Sequence, residues 1–424
     1  MDYKEKKYEY IHRFRKLGLG LFVHFGLYSI PGKGEWYLRL SPEADEKKYR
    51  ALTGRFRVNK NWAGKLVKTA KAVGAKYITL TTRHHDGFSL YDTCGLNGYD
   101  APHSACGRDL VAEFVSSCRE GGIVPFFYHT LLDWSHPAYR EDFPAYIDYL
   151  VKSIEILCRN YGPVGGFWFD GMWDKPEADW QEDRLYAMIR KYQPDAMLIN
   201  NTGLSAAGRT GHRELDGVTF ERGQARKVQA PEGIAKSIAG EMCQVLNDHW
   251  GYAKNDCNYK SVKELIGNLV DCRANNCNFL LNTGLRGNGS VNPTDKCLLG
   301  EVGKWIRSNH GFIYWAEAAE IGAENAVVLK DEKHYYAVIK EVEMSADPNV
   351  QQRRAFQKIK IGAPVRRAEW LDSGEPAEAV DGCFDVAPFS YGSSLSVRVL
   401  KFDRDEKLFE KTKDEVSEKL RESI

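Results

Sequence analysis

The sequence predicts an α/β protein: a (β/α)8 barrel followed by a C-terminal all-β sandwich domain. Two observations support the barrel. Eight short apolar runs recur along the first 310 residues, and amphipathic helical stretches separate most of them. Continuous apolar strands that alternate with helices are typical of a parallel sheet covered on both faces. Eight such units in this length of chain are the usual content of a (β/α)8 barrel.

The predicted strands are rich in β-branched and aromatic residues. In chain order they are Gly18–Gly26, Ala75–His84, Gly122–Thr130, Gly165–Gly171, Ala196–Asn201, Val218–Arg222, Glu241–Asn247 and Cys277–Gly284. The predicted helices are Asn61–Val73, Arg108–Glu120, Phe143–Asn160, Ala178–Tyr192, Lys260–Ala274 and Asp295–Ser308. Residues 202–217 and 224–239 lack a helical period, so we expect the barrel to be irregular around its fifth and sixth units.

After Gly311 the pattern changes to short strands with turns between them. These predicted strands are Ala326–Leu329, Tyr335–Lys340, Arg354–Ile361, Ala368–Leu371 and Leu395–Lys401. No long helical period interrupts them, which is typical of an all-β domain. We therefore predict a barrel over residues 1–310, a β-sandwich domain over 311–402 and a charged terminal helix over 403–424.

Composition and charge exclude several classes of function. The chain is 43% apolar and 28% charged, with a net charge of +1. Such a balance gives no electrostatic reason to expect nucleic acid or an anionic membrane as partner. Met1–Arg15 lacks the apolar run of a signal peptide, and the ten cysteines include no CxxC pair. We expect free thiols and a cytoplasmic location.

Polar residues follow the first four predicted strands, at the end of the barrel where barrel proteins place their chemistry. A single histidine there is usually structural, and an aspartate before glycine is usually a turn or a cap. Four such ends at one rim predict a polar pocket instead. They are Val23–Gly26, His84–Gly87, Phe127–His129 and Trp168–Gly171.

Strand alternation predicts which side chains share a face at the fourth of these strand ends. It places Trp168 and Asp170 on one face and Phe167 and Phe169 on the other. A carboxylate beside an indole face suits a nucleophile that attacks the anomeric carbon of a sugar. The same alternation sends His84 and His85 to opposite faces, so we do not expect them to bind one metal ion.

These motifs, in this order along the chain, resemble those of the α-L-fucosidases of glycoside hydrolase family 29. The resemblance extends through essentially the whole barrel. It is carried by Gly18–Ser29, Gly34–Tyr37, Gly74–Tyr77, His84–Phe88, Trp168–Gly171, Leu281–Gly284 and Gly287–Gly289. It implies that the barrel is catalytic. The expected activity is that of a retaining exo-glycosidase hydrolysing terminal α-L-fucosides through a covalent fucosyl-enzyme.

The resemblance also implies a role for each matching residue. Asp170 is expected to be the nucleophile. The fucose is expected to be bound by His24, Glu35, Trp36, His84, His85 and Tyr128, with Trp168 against the ring. Imidazoles, a carboxylate and aromatic rings can satisfy the hydroxyls and the methyl group of fucose, so we expect no metal or other cofactor. The expected partner is a fucosylated oligosaccharide or glycoside, and an oligomer is compatible with the sequence.

The general acid/base is the open assignment, since the family varies at this position. Glu221 lies 51 residues after Asp170, at the end of the sixth predicted strand, and is the preferred candidate. Glu241, which starts the seventh predicted strand, is the alternative, and Glu214 and Asp216 remain behind it. Burial and the charge of Asp170 are expected to raise the pKa of this carboxyl.

Two other functions stay open at the level of sequence. Fucose has the hydroxyl pattern of galactose in mirror image, so a related barrel glycosidase such as an α-galactosidase is one alternative. A catalytically silent carbohydrate-binding barrel is the other, because the acid/base is open. Turnover of a panel of aryl glycosides separates the three functions.

Overall fold

The structure is a computed structural model that describes residues 8–230, 232–234, 236–342, 357–362, 365–386 and 397–404. The predicted charged helix over 403–424 lies outside the described residues except for its first two positions. Contacts divide the chain into two compact units. The first is Met1–Lys260 with Cys277–Glu301, and the second is Ser261–Asn276 with Val302–Ile424.

Eight parallel strands close the predicted barrel and follow one another in chain order. They are β1 (Leu19–His24), β2 (Tyr77–Arg83), β3 (Val124–Thr130), β4 (Gly166–Asp170), β5 (Met197–Asn200), β6 (Gly217–Glu221), β7 (Ala239–Gln244) and β8 (Cys277–Gly284). Pairing of β8 with β1 completes the ring. The predicted fold class is confirmed.

The described α-helices are α1 (Glu9–Leu17), α2 (Tyr37–Leu40), α3 (Glu46–Arg50), α4 (Trp62–Val73), α5 (Leu110–Gly121), α6 (Ala138–Glu141), α7 (Phe143–Asn160), α8 (Glu182–Tyr192), α9 (Val262–Ala274) and α10 (Pro293–Ser308). Asp109 and Asp142 cap α5 and α7 by accepting from backbone N–H groups in the first turn. Between β5 and β7 the described residues contain no α-helix, and the 3₁₀ turn Leu204–Ala206 is their only helical segment, which confirms the predicted irregularity.

The short helix α1 was not predicted from the sequence. Its Tyr10, Ile11 and Phe14 are buried and pack into the core cluster that fills the barrel interior. The ring of Phe14 lies 5.6 Å from that of Tyr77 on β2 and 5.6 Å from that of Phe126 on β3. This helix therefore covers the end of the barrel interior opposite the carboxyl ends of the strands.

A buried ionic network lies at this same end, centred on Asp216 immediately before β6. The Asp216 side chain is fully buried between Arg190 of α8 and Lys236. Lys236 Nζ and the hydroxyl of Tyr10 both donate to Asp216 Oδ1 at 2.9 Å. The backbone N–H of Leu198 donates to Oδ2 at 2.9 Å. The network thus links α1, α8, β5 and β6.

We expect Asp216→Ala to lower the free energy of unfolding by about 3–5 kcal/mol, because buried Lys236 loses its counter-charge and Arg190 loses the nearer of its two carboxylates. Urea unfolding measures this change. Asp195→Ala is the matched control, since Asp195 is exposed and its ion pair with Arg13 spans 3.6 Å at the surface. That pair is worth about 0–1 kcal/mol. Equal losses in both variants would contradict a stabilising role for the network.

The second unit contains two antiparallel sheets. Their strands are β9 (Glu317–Ala318), β10 (Ala323–Glu324), β11 (Val327–Lys330), β12 (His334–Ile339), β13 (Gln357–Ile361), β14 (Arg366–Trp370), β15 (Pro376–Ala377), β16 (Ala379–Val380), β17 (Cys383–Val386) and β18 (Arg398–Asp403). The larger sheet has the strand order β15-β14-β18-β12-β11-β9, and the smaller sheet has the order β10-β13-β17-β16. Ile359 and Phe384 of the smaller sheet share one core with Trp370 and Leu400 of the larger sheet.

Helix α9 belongs to this second unit by its contacts. Lys340 Nζ pairs with Asp271 Oδ1 at 2.9 Å, and Arg273 Nε donates to the Ile313 carbonyl at 2.9 Å.

The domain limits predicted from the sequence stay a prediction. No disulfide joins any of the ten cysteines, all of which are described. No described helix combines the length and the apolar character needed to cross a bilayer.

Candidate active site

A cavity of about 520 Å³ opens at the carboxyl ends of the barrel strands. The predicted site residues in its lining are His24, Glu35, Trp36, His84, His85, Tyr128, Trp168, Asp170 and Glu221. Glu241 is absent from this lining. The cavity is also lined by residues that were not among the predicted site residues, namely Phe22, Trp173, Asn201, Gly203, Leu204, Ser205, Arg222 and Trp250.

Asp170 is the last residue of β4, and hydrogen-bond donors surround its carboxylate. Oδ1 accepts from the Gly171 N–H and from Trp173 Nε1, both at 2.9 Å. Oδ2 accepts from the Tyr128 hydroxyl at 3.0 Å and lies 3.4 Å from His85 Nε2. These contacts hold the carboxylate in one orientation at the cavity wall.

The same contacts determine the charge of Asp170. Burial raises the pKa of this carboxyl, but the hydrogen bond and charge of His85 and the donors of Trp173 and Tyr128 lower it further than burial raises it. The net pKa therefore lies below the ordinary value for aspartate. Asp170 is ionised near neutral pH, which is the state that a carboxylate nucleophile requires.

Glu221 is the last residue of β6, and its carboxyl has the opposite shift. Burial, followed by the charge of Asp170, raises its pKa above the ordinary value for glutamate. Hydrogen bonding by Asn201 and the charge of Arg222 oppose this rise without cancelling it. Asn201 Nδ2 donates to Glu221 Oε2 at 2.8 Å. Glu221 thus has the environment of a group that holds a proton beside an ionised partner.

The other acid/base candidates lie elsewhere in the barrel. Glu241 is the third residue of β7 and is 1% exposed in the interior, where the Tyr77 hydroxyl donates to its Oε2 at 3.1 Å. Burial raises its pKa to about 8, so it is largely neutral at pH 7. Glu214 and Asp216 precede β6 and therefore lie toward the opposite end of the barrel. None of the three lines the cavity.

His24, at the end of β1, is a neutral hydrogen-bonding group. Asn282 Nδ2 donates to the Trp250 carbonyl at 2.7 Å, which turns Asn282 Oδ1 toward His24 Nδ1, also at 2.7 Å. His24 Nδ1 therefore carries the proton and Nε2 has a lone pair. Burial lowers the pKa of His24 to about 3. Its free nitrogen can accept a hydrogen bond from a sugar hydroxyl.

The prediction that His84 and His85 point to opposite faces is wrong. Both line the cavity, and their ring centroids are 4.2 Å apart. The physical reason is that β2 ends at Arg83, so strand alternation does not reach the two histidines. Among the described residues, no group of three or more His, Cys, Asp or Glu side chains is placed to hold a metal ion.

Aromatic rings form much of the remaining wall. Tyr128 stacks on Trp168 with centroids 5.6 Å apart, and Trp36 stacks on Trp173 at 6.1 Å. Trp250 stacks on His24 at 5.4 Å. Aromatic faces of this kind can cover the apolar side of a sugar ring.

The predicted alternation in β4 is confirmed. Trp168 and Asp170 both line the cavity. Phe167 and Phe169 stack on each other with centroids 6.0 Å apart, and neither of them lines the cavity.

Glu35 follows β1 in the chain. Its side chain is buried, and its Oε2 accepts a hydrogen bond from the Gly251 N–H at 2.7 Å.

Arg222 reaches the cavity through an unusual backbone conformation. Its φ of 50° is in the left-handed region, so Arg222 does not continue the alternation that follows from Glu221. Its guanidinium lies 5.3 Å from the centre of the Trp250 ring and donates to the Asp248 carbonyl at 2.8 Å. Sequence alternation would place Arg222 on the outer face. Asn201, in contrast, follows a strand just as the histidines do and could have been found by the same reasoning.

Two neighbouring carboxyl groups of opposite pKa shift, at the mouth of a (β/α)8 barrel, are the arrangement of a glycoside hydrolase. Similarity to known proteins identifies the family within this class. The sequence profile described as alpha-L-fucosidase matches residues 2–311, and the chain belongs to this family.

Relatives span most of the chain. It is 26% identical over 332 residues to the alpha-L-fucosidase of Dictyostelium discoideum, covering 70% of this chain and 69% of that protein. It is 27% identical over 344 residues to the tissue alpha-L-fucosidase of Rattus norvegicus, covering 73% and 71%. The solved structure of alpha-L-fucosidase isoenzyme 1 from Paenibacillus thiaminolyticus is similar with a TM-score of 0.79 at 27% identity. That similarity covers 94% of this chain and 100% of the other.

Proposed function

We propose that this protein is a retaining exo-glycosidase that releases terminal α-L-fucose by double displacement. The observation that carries the proposal is the shared donor between the two carboxyl groups. Asn201 Nδ2 lies 3.3 Å from Asp170 Oδ1 and 2.8 Å from Glu221 Oε2. Because both oxygens contact the same nitrogen, their separation cannot exceed the two hydrogen-bond distances laid end to end. That limit is below the separation of about 6.5–9.5 Å between the carboxyl groups of inverting enzymes, so the geometry favours the retaining mechanism.

In the first step Asp170 attacks the anomeric carbon of the fucoside. A bond forms between Asp170 and this carbon as the bond to the leaving oxygen breaks. Glu221 gives its proton to that oxygen, so the leaving group departs neutral. The products are the neutral leaving group and a fucosyl ester of Asp170, and Glu221 remains as a carboxylate.

In the second step a water molecule attacks the same carbon. Glu221 takes a proton from this water, and the bond between the sugar and Asp170 breaks. Fucose leaves with the α configuration, and both carboxyl groups return to their starting states. His24, Glu35, His84 and the aromatic walls bind the sugar throughout. The substrate is a fucosylated oligosaccharide or glycoside, and the cytoplasmic location stays a prediction.

The test is turnover of an aryl α-L-fucoside beside the matching aryl α-D-galactoside, with NMR detection of the anomer released first. We expect turnover of the fucoside and early release of the α anomer. Faster turnover of the galactoside would indicate the related glycosidase. Binding of fucose without turnover of either compound would indicate a carbohydrate-binding barrel, and early release of the β anomer would contradict double displacement.

The opposite pKa shifts predict a bell-shaped dependence of kcat/KM on pH. Asp170 must be ionised, and its pKa is lowered, so activity should persist below about pH 3.9, the ordinary aspartate value. Glu221 must be protonated, and its pKa is raised, so activity should fall only above about pH 4.3, the ordinary glutamate value. A pH series with an aryl fucoside measures both limbs. An alkaline limb at or below the ordinary glutamate pKa would contradict the role of Glu221.

A further inference from the structure

The side chain of Asn201 lies between the two reacting carboxyl groups. Asn201 is the first residue after β5, and its backbone N–H donates to the Phe169 carbonyl at 2.8 Å, which fixes it beside the end of β4. It is 3% exposed and lines the cavity. Its amide nitrogen contacts both Asp170 and Glu221. One neutral side chain therefore connects the two carboxyl groups.

The remaining contacts determine the orientation of this amide. The Gly203 N–H, which can only donate, lies 3.3 Å from Asn201 Oδ1. The Thr219 hydroxyl donates to the same oxygen at 2.8 Å. The oxygen must face Gly203, so the NH₂ group must face the carboxyl groups. All four hydrogen-bonding positions of the amide are then used, and rotation of the side chain would break four hydrogen bonds.

This orientation has a consequence for the proton of Glu221. The acid form of a carboxyl group has one carbonyl oxygen and one hydroxyl, and the carbonyl oxygen is the better acceptor for an N–H group. Because Asn201 donates to Oε2, this donor favours Oε2 as the carbonyl oxygen of the acid form and Oε1 as the oxygen that carries the proton; the indole of Trp250 is a second donor to the same carboxyl group. In the base form the same N–H stabilises the negative charge of the carboxylate.

We infer that Asn201 is a positioning residue that directs the acid proton of Glu221 to Oε1 and holds Glu221 and Asp170 in place through both steps. This inference rests on the proposed function and adds a residue to it. After the first step Asp170 is an ester without charge, and Glu221 must act as a base. The Asn201 N–H then stabilises the Glu221 carboxylate for the attack of water.

The groups that face Glu221 from the surrounding elements are Asp170 of β4, Arg222 after β6, Tyr128 of β3, Cys243 of β7 and the indole of Trp250. Loss of the neutral Asn201 side chain leaves this set of charges unchanged. Hydrogen bonding by Asn201 is the largest of the effects that lower the pKa of Glu221. Its removal should therefore raise the pKa of Glu221 and move the alkaline limb of kcat/KM upward.

The test compares Asn201→Ala with Asn200→Ala. Asn200 is 5% exposed and adjacent in sequence, but it lies outside the cavity lining and its Nδ2 contacts Met172 Sδ at 3.4 Å. Two aryl fucosides are used, one with an activated leaving group and one with a poor leaving group. For Asn201→Ala we expect kcat/KM on the poor substrate to fall about 100-fold. The loss on the activated substrate should be several-fold smaller, and the alkaline limb should move to higher pH.

Asn201→Asp keeps the shape of the side chain and replaces the donor by a carboxyl group. It should lose activity on the poor substrate as well and move the alkaline limb upward, so it tests the inference even where the alanine variant does not fold. Thermal unfolding reports the fold of each variant. Equal losses on both substrates with unmoved pH limbs would overturn the inference and leave Asn201 a structural residue. An inactive wild type would overturn the proposed function instead.

Discussion

Asp170→Ala is expected to lose turnover of an aryl α-L-fucoside by at least about 10⁴-fold, the scale seen when a nucleophile is removed. The reason is that no other carboxylate in the cavity has the donors of Gly171, Trp173 and Tyr128 that hold Asp170 ionised. Azide should restore turnover by occupying the vacated space. Its product should be the β-fucosyl azide, because azide attacks from the side on which Asp170 stood.

The control for this variant is Asp179→Ala. Asp179 is an exposed aspartate outside the cavity lining, and we expect its loss to leave turnover near the wild-type level. Wild-type turnover in Asp170→Ala would show that the nucleophile has been assigned to the wrong residue. An α-configured azide product from Asp170→Ala would contradict the direction of attack.

Glu221→Ala is expected to show the second largest effect, and one that depends on the leaving group. General acid catalysis contributes about 10²–10⁴-fold, so a fucoside with a poor leaving group should lose turnover on that scale. A highly activated fucoside needs little protonation and should form the fucosyl-enzyme at nearly the wild-type rate. Azide should then accelerate the second step and give the α-fucosyl azide, because it attacks the face opposite to Asp170.

Glu241→Gln is the matched control for Glu221→Ala. The Glu241 carboxyl is buried below the cavity and has a pKa of about 8, so the substitution exchanges one neutral polar group for another near pH 7. We expect activity close to that of the wild type on both substrates. A leaving-group-dependent loss in Glu241→Gln, with none in Glu221→Ala, would assign the acid/base to Glu241.

The barrel could be predicted from the sequence because its strands are buried on both faces and are therefore continuously apolar. The same apolar pattern shows where each strand ends, and residues at or just after those ends form most of the predicted part of the cavity lining. Helix α1 was missed because it is short and its apolar residues Tyr10, Ile11 and Phe14 do not repeat long enough to show a period.

Other parts of the site depend on geometry that residue patterns do not contain. Glu221 and Glu241 both lie on strands, and the pairing of β6 with β7 separates them: Glu241 pairs with Thr219, two residues before Glu221, and lies in the interior. Arg222 enters the cavity because of its left-handed backbone, and Trp250 enters it from the loop after β7. Asn201 contacts both carboxyl groups and follows the end of β5, so the reasoning from strand ends could have included it.

The central claim is that Asp170 forms a covalent bond to fucose, and peptide mapping by mass spectrometry tests it most directly. The enzyme is incubated with 2-deoxy-2-fluoro-L-fucosyl fluoride, whose fluorine slows hydrolysis of the intermediate, and is then digested. We predict one added fluorofucosyl group on the peptide that contains Asp170, and none on that peptide in Asp170→Ala. A label on Glu221 or Glu35, or turnover of the reagent without any labelled peptide, would contradict the account.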